Sequence, residues 1–262
     1  MRFRLCTRFG SKPGASSSDC SMMGTTMVSL TAIRDQLDTL LDQAGRAELN
    51  LREALAMLCA AEVARKDERR IQMGMSIAKF PCVRTLEGFE YDAQPSVDPK
   101  QIRELATSRW VANGDSVLLL GLPGVGNTHL EVALGREAIV RGYSTPFVPA
   151  TSLVPQPARV HAEGRLEEKL IHFTKPKLLV VDELGYLPFD ANAAHLFFQL
   201  VSRRYERGSM LVTSNRSVAE WGGVLGDAVV VTAILDRLLH HSHHHDPGGQ
   251  PPPADQAPRW PG

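Results

Sequence analysis

Hydrophobic residues recur along this chain with two different periods, and the change of period divides it. From Leu30 they follow a helical spacing, with Leu30, Ile33, Leu37, Leu40 and Leu41 on one face. After Ala44 and Gly45, Asn50 is placed to cap a second helix, and Glu53 three residues on completes a capping box. Leu51, Leu55, Leu58 and Val63 carry that helix's apolar stripe, which gives way to the charged run Arg65, Lys66, Asp67, Glu68, Arg69 and Arg70. Mixed signs suit a solvated helix end, although the four basic residues also share one side, as a contact with a polyanion backbone requires. Beyond Gly114, short apolar runs alternate with helical stretches, the pattern of a parallel sheet with helical crossovers. The predicted strands are Val117–Leu120, Thr145–Val148, Leu178–Val181 and Met210–Thr213. The helices between them run from about Thr128 to Arg141, His161 to His172 and Ala193 to Arg207.

A proline-containing connector from Phe80 to Asp98 joins the two patterns. Asp98 then caps a helix that Pro99 opens and that runs on to Trp110. Residues 1–26 are rich in Ser, Gly, Met and Thr without periodicity and are predicted to be disordered, and Met22, Met23 and Met27 offer later starts. The tail from His243, rich in Pro, Gly and His, is predicted to be disordered as well. The sequence thus divides into a disordered start (1–26), a small helical domain (27–80), an α/β domain (81–242) and a tail (243–262).

Composition narrows the function classes only a little. The 262 residues are 43% hydrophobic and 22% charged, with 29 basic and 29 acidic side chains and a pI near 7.1. No global field draws such a chain onto nucleic acid, so any contact with phosphates needs a local basic face. Cys6, Cys20, Cys59 and Cys82 show no metal-ligand or disulfide spacing and read as reduced thiols. The arginines at 2, 4 and 8 are followed by no apolar run, and no stretch approaches the roughly 18 apolar residues of a membrane span. A cytoplasmic location is the expectation.

Candidate chemistry concentrates at the tips of the predicted strands. The apolar run VLLL leads into Gly121-Leu122-Pro123-Gly124-Val125-Gly126-Asn127-Thr128, which opens a helix. Glycines let a loop fold tightly round phosphate oxygens, and the helix N-terminus adds partial positive charge. Thr128 supplies the hydroxyl that completes a magnesium shell, and His129 follows it. About fifty residues on, KLLVVDELG ends a strand in Asp182 and Glu183. Ligands of open parallel sheets bind beyond that edge. Asp182 can hold magnesium through water, and Glu183 can polarise an attacking water. The next strand, MLVTS, ends at Asn215, placed to orient a γ-phosphate or that water.

Together GLPGVGNTHLEVALG, LLVVDELGYLP, FFQLVSRRYERGSMLVTSN, SVAEWG and ILDRLLHHS resemble the IstB-like ATP-binding proteins, from about Leu30 to Ser242. These are transposition helpers encoded by insertion sequences and related to bacterial DnaC helicase loaders. The resemblance implies a P-loop AAA+ core with a parallel sheet flanked by helices, preceded by a small N-terminal helical domain. It implies ATP and Mg2+ as cofactors, held by Gly121, Pro123, Gly124, Val125, Gly126, Asn127, Thr128, His129 and Asp182, the metal at Thr128 and Asp182. Glu183, Asn215 and Arg237 are the implied catalytic residues. Arg237, in LDRL, is similar to an arginine finger that reaches a neighbouring subunit's γ-phosphate. Arg203 and Arg204 match basic positions of the family or form a solvated helix end. Homo-oligomerisation, non-specific contact with the DNA backbone and cooperation with a transposase are the implied partnerships.

The chain also departs from the family pattern. Asn127 occupies the position of the phosphate-binding lysine. Losing a charge-assisted hydrogen bond costs about 1.5–3 kcal/mol, roughly 10- to 150-fold in affinity, and hydrolysis should suffer more. Lys175 and Lys177 cannot substitute, since five to seven strand residues place them roughly 16–23 Å from the site. Pro155 and Pro157 interrupt a segment that is helical in the family. After LDRLLHH the family continues with a short strand and a final arginine, whereas this chain enters HHHDPGGQPPPADQAPRWPG. The C-terminal end therefore reads as truncated or replaced, with the edge of Val117–Leu120 left bare. The run His240–His245 reads as motif and tail rather than as a metal site. Three functions stay open: an ATPase assisting transposition, a non-catalytic nucleotide- or DNA-binding module of decayed type, and a helicase loader in replication.

Overall fold

The computed structural model describes residues 30–153, 163–186, 189, 191–226, 228–239 and 242–245. The chain divides into two compact units between Arg70 and Ile71, inside the second helix rather than after it.

The first unit contains α1 (Thr31–Arg46) and most of α2 (Leu51–Ala78). Asn50 and Glu53 form the predicted capping box, with Glu53 N–H donating to Asn50 Oδ1 at 3.0 Å and Asn50 N–H donating to Glu53 at 2.9 Å. The start of α1 carries no local side-chain cap. Glu62 of α2 caps it instead, accepting from the N–H groups of Thr31, Ala32 and Ile33 at 3.1, 2.7 and 3.2 Å. The carboxylate is buried, and burial opposes its ionisation; the three N–H bonds and Lys66 outweigh that and hold it below the usual glutamate range. Of the predicted stripe on α1, Leu40 is buried and Leu41 is about half exposed. Within this unit Arg65 reaches Asp35, Lys66 reaches Glu62, Arg69 donates to Thr31 and Arg70 pairs with Asp67. The basic cluster thus has acceptors of its own.

The second unit is a five-stranded parallel sheet in the order β2-β3-β4-β1-β5. Its strands are β1 (Ser116–Leu120), β2 (Phe147–Pro149), β3 (Leu178–Leu184), β4 (Ser209–Ser214) and β5 (Ser242–His245). Helices α3 (Pro99–Ala106), α4 (Arg109–Asn113), α5 (Asn127–Val140), α6 (Ala150–Leu153), α7 (Glu163–Thr174), α8 (Ala191–Arg204), α9 (Trp221–Leu225) and α10 (Ala228–Leu239) surround it. Alternate strand residues feed two cores, which is why the strands read as unbroken apolar runs. Val117, Leu119, Val180 and Leu211 join α3, α4 and α5 on one face; Leu118, Leu120, Val181 and Val212 join α8, α9 and α10 on the other. Asp98 caps α3 through Lys100 N–H at 2.8 Å, with Pro99 as its first residue. This helix stops at Ala106 rather than at Trp110, because Ser108 takes a left-handed conformation and starts α4 afresh.

Two sequence expectations are corrected here. Residues 243–245, expected to begin a disordered tail, instead belong to β5, parallel to β1 with Val117 opposite His243 and Leu119 opposite His245. The edge of β1 is therefore covered. A parallel ladder is made by backbone N–H and C=O groups, so a histidine run with no strand signature can still form one. Arg204 is not a solvated helix end either. It is buried, and its guanidinium donates to the carbonyls of Phe173, Pro176, Lys177 and Ser209, tying the starts of β3 and β4 together. Burial lowers its pKa to about 10. Its neighbour Arg203 stays at the surface in a two-pronged pair with Glu167. Pro155, Pro157, His240, His241 and residues 1–29 and 246–262 lie outside the described residues. Among the described residues no helix is long and apolar enough to cross a membrane.

Replacing Glu62 by Ala should destabilise the first unit by about 2 kcal/mol, the loss of a charged cap serving three N–H groups. Because folding depresses this carboxyl, its stabilisation is complete above the ordinary glutamate range and is lost as pH falls through its folded value. Urea unfolding at neutral pH and at pH 3 checks both statements: parent and variant should differ at neutral pH and converge in acid.

Candidate functional site

Three neighbouring strand tips, β1, β3 and β4, open onto one cleft of about 340 Å³. Gly121, Leu122, Pro123, Gly124, Gly126, Asn127, Thr128 and His129 line it from the loop; Asp182, Glu183, Tyr186, Thr213, Ser214 and Asn215 line it from the other tips. Of the residues singled out from sequence, Val125 does not line the cleft, although its N–H closes the loop's turn on Leu122 O at 3.4 Å. Arg237 is also elsewhere. It borders a small concavity at the opposite end of the sheet with Gly114 and Ser116, donates to Ala233 O at 2.8 Å and lies 5.0 Å over the Phe198 ring.

The loop's shape follows from its glycines. Gly124 and Gly126 have φ of +91° and +90°, which L side chains rarely adopt. At Gly126 space forbids a side chain as well, since a Cβ would come within 2.7 Å of Phe89. Gly121 N–H is anchored to Ser214 O at 3.1 Å, so the loop leaves β1 at the level of the β4 tip. His129 turns toward the connector, with Nε2 2.8 Å from Thr85 O and its ring 5.3 Å from Phe89. The N-terminus of α5 then faces the cleft and makes a ready anion seat.

Opposite stand the acids. A bulge between Val181 and Leu184 breaks the β3–β4 register and turns Glu183 outward at φ +59°. Such a conformation costs about 1–3 kcal/mol for a residue with a side chain. Glu183 is exposed while Asp182 is buried. One residue that the sequence did not single out joins them. Thr213 Oγ1 donates to Asp182 Oδ1 at 2.5 Å and accepts the Glu183 N–H at 2.8 Å. A hydroxyl two residues before Asn215 was the available signal, but only the strand register gives it meaning. Ser214 acts similarly beside it, donating to Leu184 O at 2.6 Å and accepting Arg216 N–H at 3.1 Å.

Charge in the cleft is one-sided. Among the described residues that line it none is Lys or Arg, and two are carboxylates. Asn127 donates to Gly121 O at 3.3 Å, folding back on its own loop, and its Oδ1 has no partner. Asn215 Oδ1 is buried without a partner too. Glu131, one turn further along α5 and also missed in the sequence, is fully buried and does not itself line the cleft. Burial raises its carboxyl well above the usual range, and contact with Asp182 and the nearby Glu183 charge add to that. In kind, the parts suit a phosphate-bearing ligand with a divalent metal: a glycine cradle, a helix N-terminus, a threonine hydroxyl and a carboxylate beside it. Among the described lining residues a fixed cation is missing.

The sequence pattern of the family described as IstB-like ATP binding protein matches residues 25–250. An ATP-binding protein of insertion sequence IS5376 from Geobacillus stearothermophilus is 44% identical over 211 residues, covering 80% of this chain and 84% of the relative. One of insertion sequence IS21 from Pseudomonas aeruginosa is 44% identical over 204 residues, with 78% and 77% covered. Among solved structures, DnaI superposes with a TM-score of 0.53 at 21% identity, covering 66% of this chain and 93% of its own. AMPPCP-bound DnaA from Aquifex aeolicus does so with 0.50 at 21% identity, covering 64% and 51%. At that identity the structural likeness speaks for the fold.

Thr213→Val keeps shape and strand preference but leaves the Glu183 N–H without its acceptor. We expect a destabilisation of about 1–3 kcal/mol, read from urea unfolding. An unmoved midpoint would mean that the hydroxyl bridge from the Asp182 carboxylate to the Glu183 N–H contributes nothing.

Proposed function

The chain belongs to the family of IstB-like ATP-binding proteins, and we propose that it is an AAA+ helper of DNA transposition that binds ATP in the cleft at the tips of β1, β3 and β4. The observation that supports this best is the convergence of the glycine loop, the Asp182–Glu183 pair and Asn215 on one cavity from three separate segments. Loop N–H groups and the α5 N-terminus hold the phosphates. Thr128 and Asp182 would hold magnesium, which neutralises phosphate charge when bound. Glu183, held outward by the bulge, orients and polarises a water, and Asn215 presents its amide to the same region. Thr213 fixes the Asp182 carboxylate and the backbone of Glu183, so the strand tip need not be ordered when the ligand arrives.

Arg237 has its place in an oligomer. Facing away from its own cleft, it acts on the nucleotide of a neighbouring copy, with Phe198 holding the guanidinium until that copy docks. DNA is gripped mainly through its backbone, and a transposase from the same mobile element receives the complex. The work belongs in the cytoplasm, where the target DNA lies.

A second reading is favoured by one specific observation. Asn127 folds back onto Gly121 O, and the described lining of the cleft holds no cation. A chain so built would bind nucleotide or DNA and turn over little, as a decayed copy would. Without a cationic partner on the transferring phosphoryl the chemical step loses more than the binding step. Steady-state ATPase assay of the parent beside Asn127→Lys decides between the two. The variant should exceed the parent by about 10-fold or more. Equal and robust rates would remove the decayed-enzyme reading, and silence in both would shift the fault away from the loop.

Binding to mixed-sequence duplex DNA, followed by anisotropy, should weaken steeply as salt rises from 50 to 200 mM, since backbone contacts release counterions. A flat response would argue against a backbone grip.

A further inference from the structure

The connector that precedes α3 twice sets an aromatic ring over a glycine of α5 or of its cap. Along the body of the helix Phe80 covers Gly135, where a Cβ would fall 2.8 Å from the ring. At the phosphate loop Phe89 covers Gly126, where the same atom would fall 2.7 Å away. The first contact is close packing of a ring on a helix. The second falls on the residue whose φ of +90° turns the chain into α5. Phe89 is buried and held from behind: its N–H donates to Leu86 O at 3.3 Å, and the Tyr91 ring lies 4.9 Å from its own. The same stretch of connector holds the first turn of α5. Thr85 O lies 2.8 Å from His129 Nε2, and the Phe89 ring meets the His129 ring edge-on at 5.3 Å. Phe89 does not itself line the cleft. Its influence on a ligand there passes through Gly126 and His129.

We propose that Phe89 is a positioning residue for the phosphate loop: its ring keeps Gly126 in the left-handed turn that aims the first N–H groups of α5 into the cleft. A loop with glycines at 121, 124 and 126 has much conformational freedom to lose. A ligand that had to order it would bind more weakly, whereas a loop fixed beforehand presents its donors at no further cost. One end of the loop is fixed by Gly121 N–H on Ser214 O, and the Phe89 ring fixes its exit. Such order matters more here than beside a lysine. Asn127 brings no charge to the phosphates, so the oriented N–H groups carry the attraction. The consequence for affinity rests on the nucleotide reading of the cleft; the order of the loop itself rests on the contacts alone.

Inorganic tripolyphosphate, which has neither base nor sugar, competing with a fluorescent ATP analogue on the purified full-length chain tests the role. Phe89→Leu should weaken both ligands by about 10-fold, the loss expected when a residue or two must be ordered on binding. Phe80→Leu removes the matching ring at Gly135 and should lower the thermal-unfolding midpoint while leaving both affinities unchanged. Hydrogen exchange of the ligand-free chain should quicken in the peptide 121–130 for Phe89→Leu and not for Phe80→Leu. If Phe89→Leu does not fold, Phe89→Met fills the same space with a flexible chain and carries the same expectations. Equal affinity losses in the Phe80 and Phe89 variants would reduce Phe89 to a packing residue. Loss of the ATP analogue with tripolyphosphate unaffected would make its ring a contact for the base. Either result overturns the proposal, and so does unchanged exchange in the loop. Quickened exchange in the variant, with a parent that takes up neither ligand, would sink the nucleotide reading and leave the positioning role standing.

Discussion

The register of β1, β3 and β4 is the constraint from which the rest of the cleft follows. Leu120 lies beside Ser214 in the ladder, and Val181 lies beside Val212, so the residues that follow each strand emerge together at one edge. Slip one strand by a residue and Asp182 loses the Thr213 hydroxyl, Gly121 loses its anchor on Ser214, and both cores receive the wrong faces. The register is held from the far end as well. The buried Arg204 binds carbonyls at the starts of β3 and β4, a fastening whose four acceptors compensate the burial of its charge.

On this frame the site combines an anion seat with an excess of anions. The loop N–H groups and the α5 dipole favour phosphate, while the carboxylates of Asp182 and Glu183 oppose it. Most phosphate sites add a fixed cation to tip the balance; here Asn127 holds that position and spends its N–H on its own loop. Stability and function meet at the same residues, because the left-handed Glu183 and the buried Glu131 are each arrangements that folding alone would not favour. The strained backbone of Glu183 and the buried carboxyl of Glu131 both adjoin Asp182.

Local chemistry is legible in the order of the residues. The glycine loop announces itself because its spacing encodes backbone conformations that only glycine reaches, and Gly124 and Gly126 adopt them. The Asn50–Glu53 box and the Asp98–Pro99 start are contacts between residues at most three apart, so the sequence places them directly. Strand positions follow to within a few residues because burial on both faces demands continuous apolar runs. The strand β5 escapes such a reading because backbone pairing beside β1, not its histidines, makes it a strand.

What the sequence alone determined is the set of parts: an α/β unit following two helices, a phosphate loop, an acid pair and an amide at three strand tips. Each follows from propensity, periodicity or short-range spacing. Tertiary structure decided which parts meet. The capping of α1 by Glu62, the Thr213 bridge, the carboxyl contact between Glu131 and Asp182 and the reach of Arg204 to Phe173, Pro176 and Lys177 all join residues roughly thirty or more positions apart. Nothing in local sequence encodes such pairings, because they arise only when packing fixes the register of strands and the faces of helices against one another.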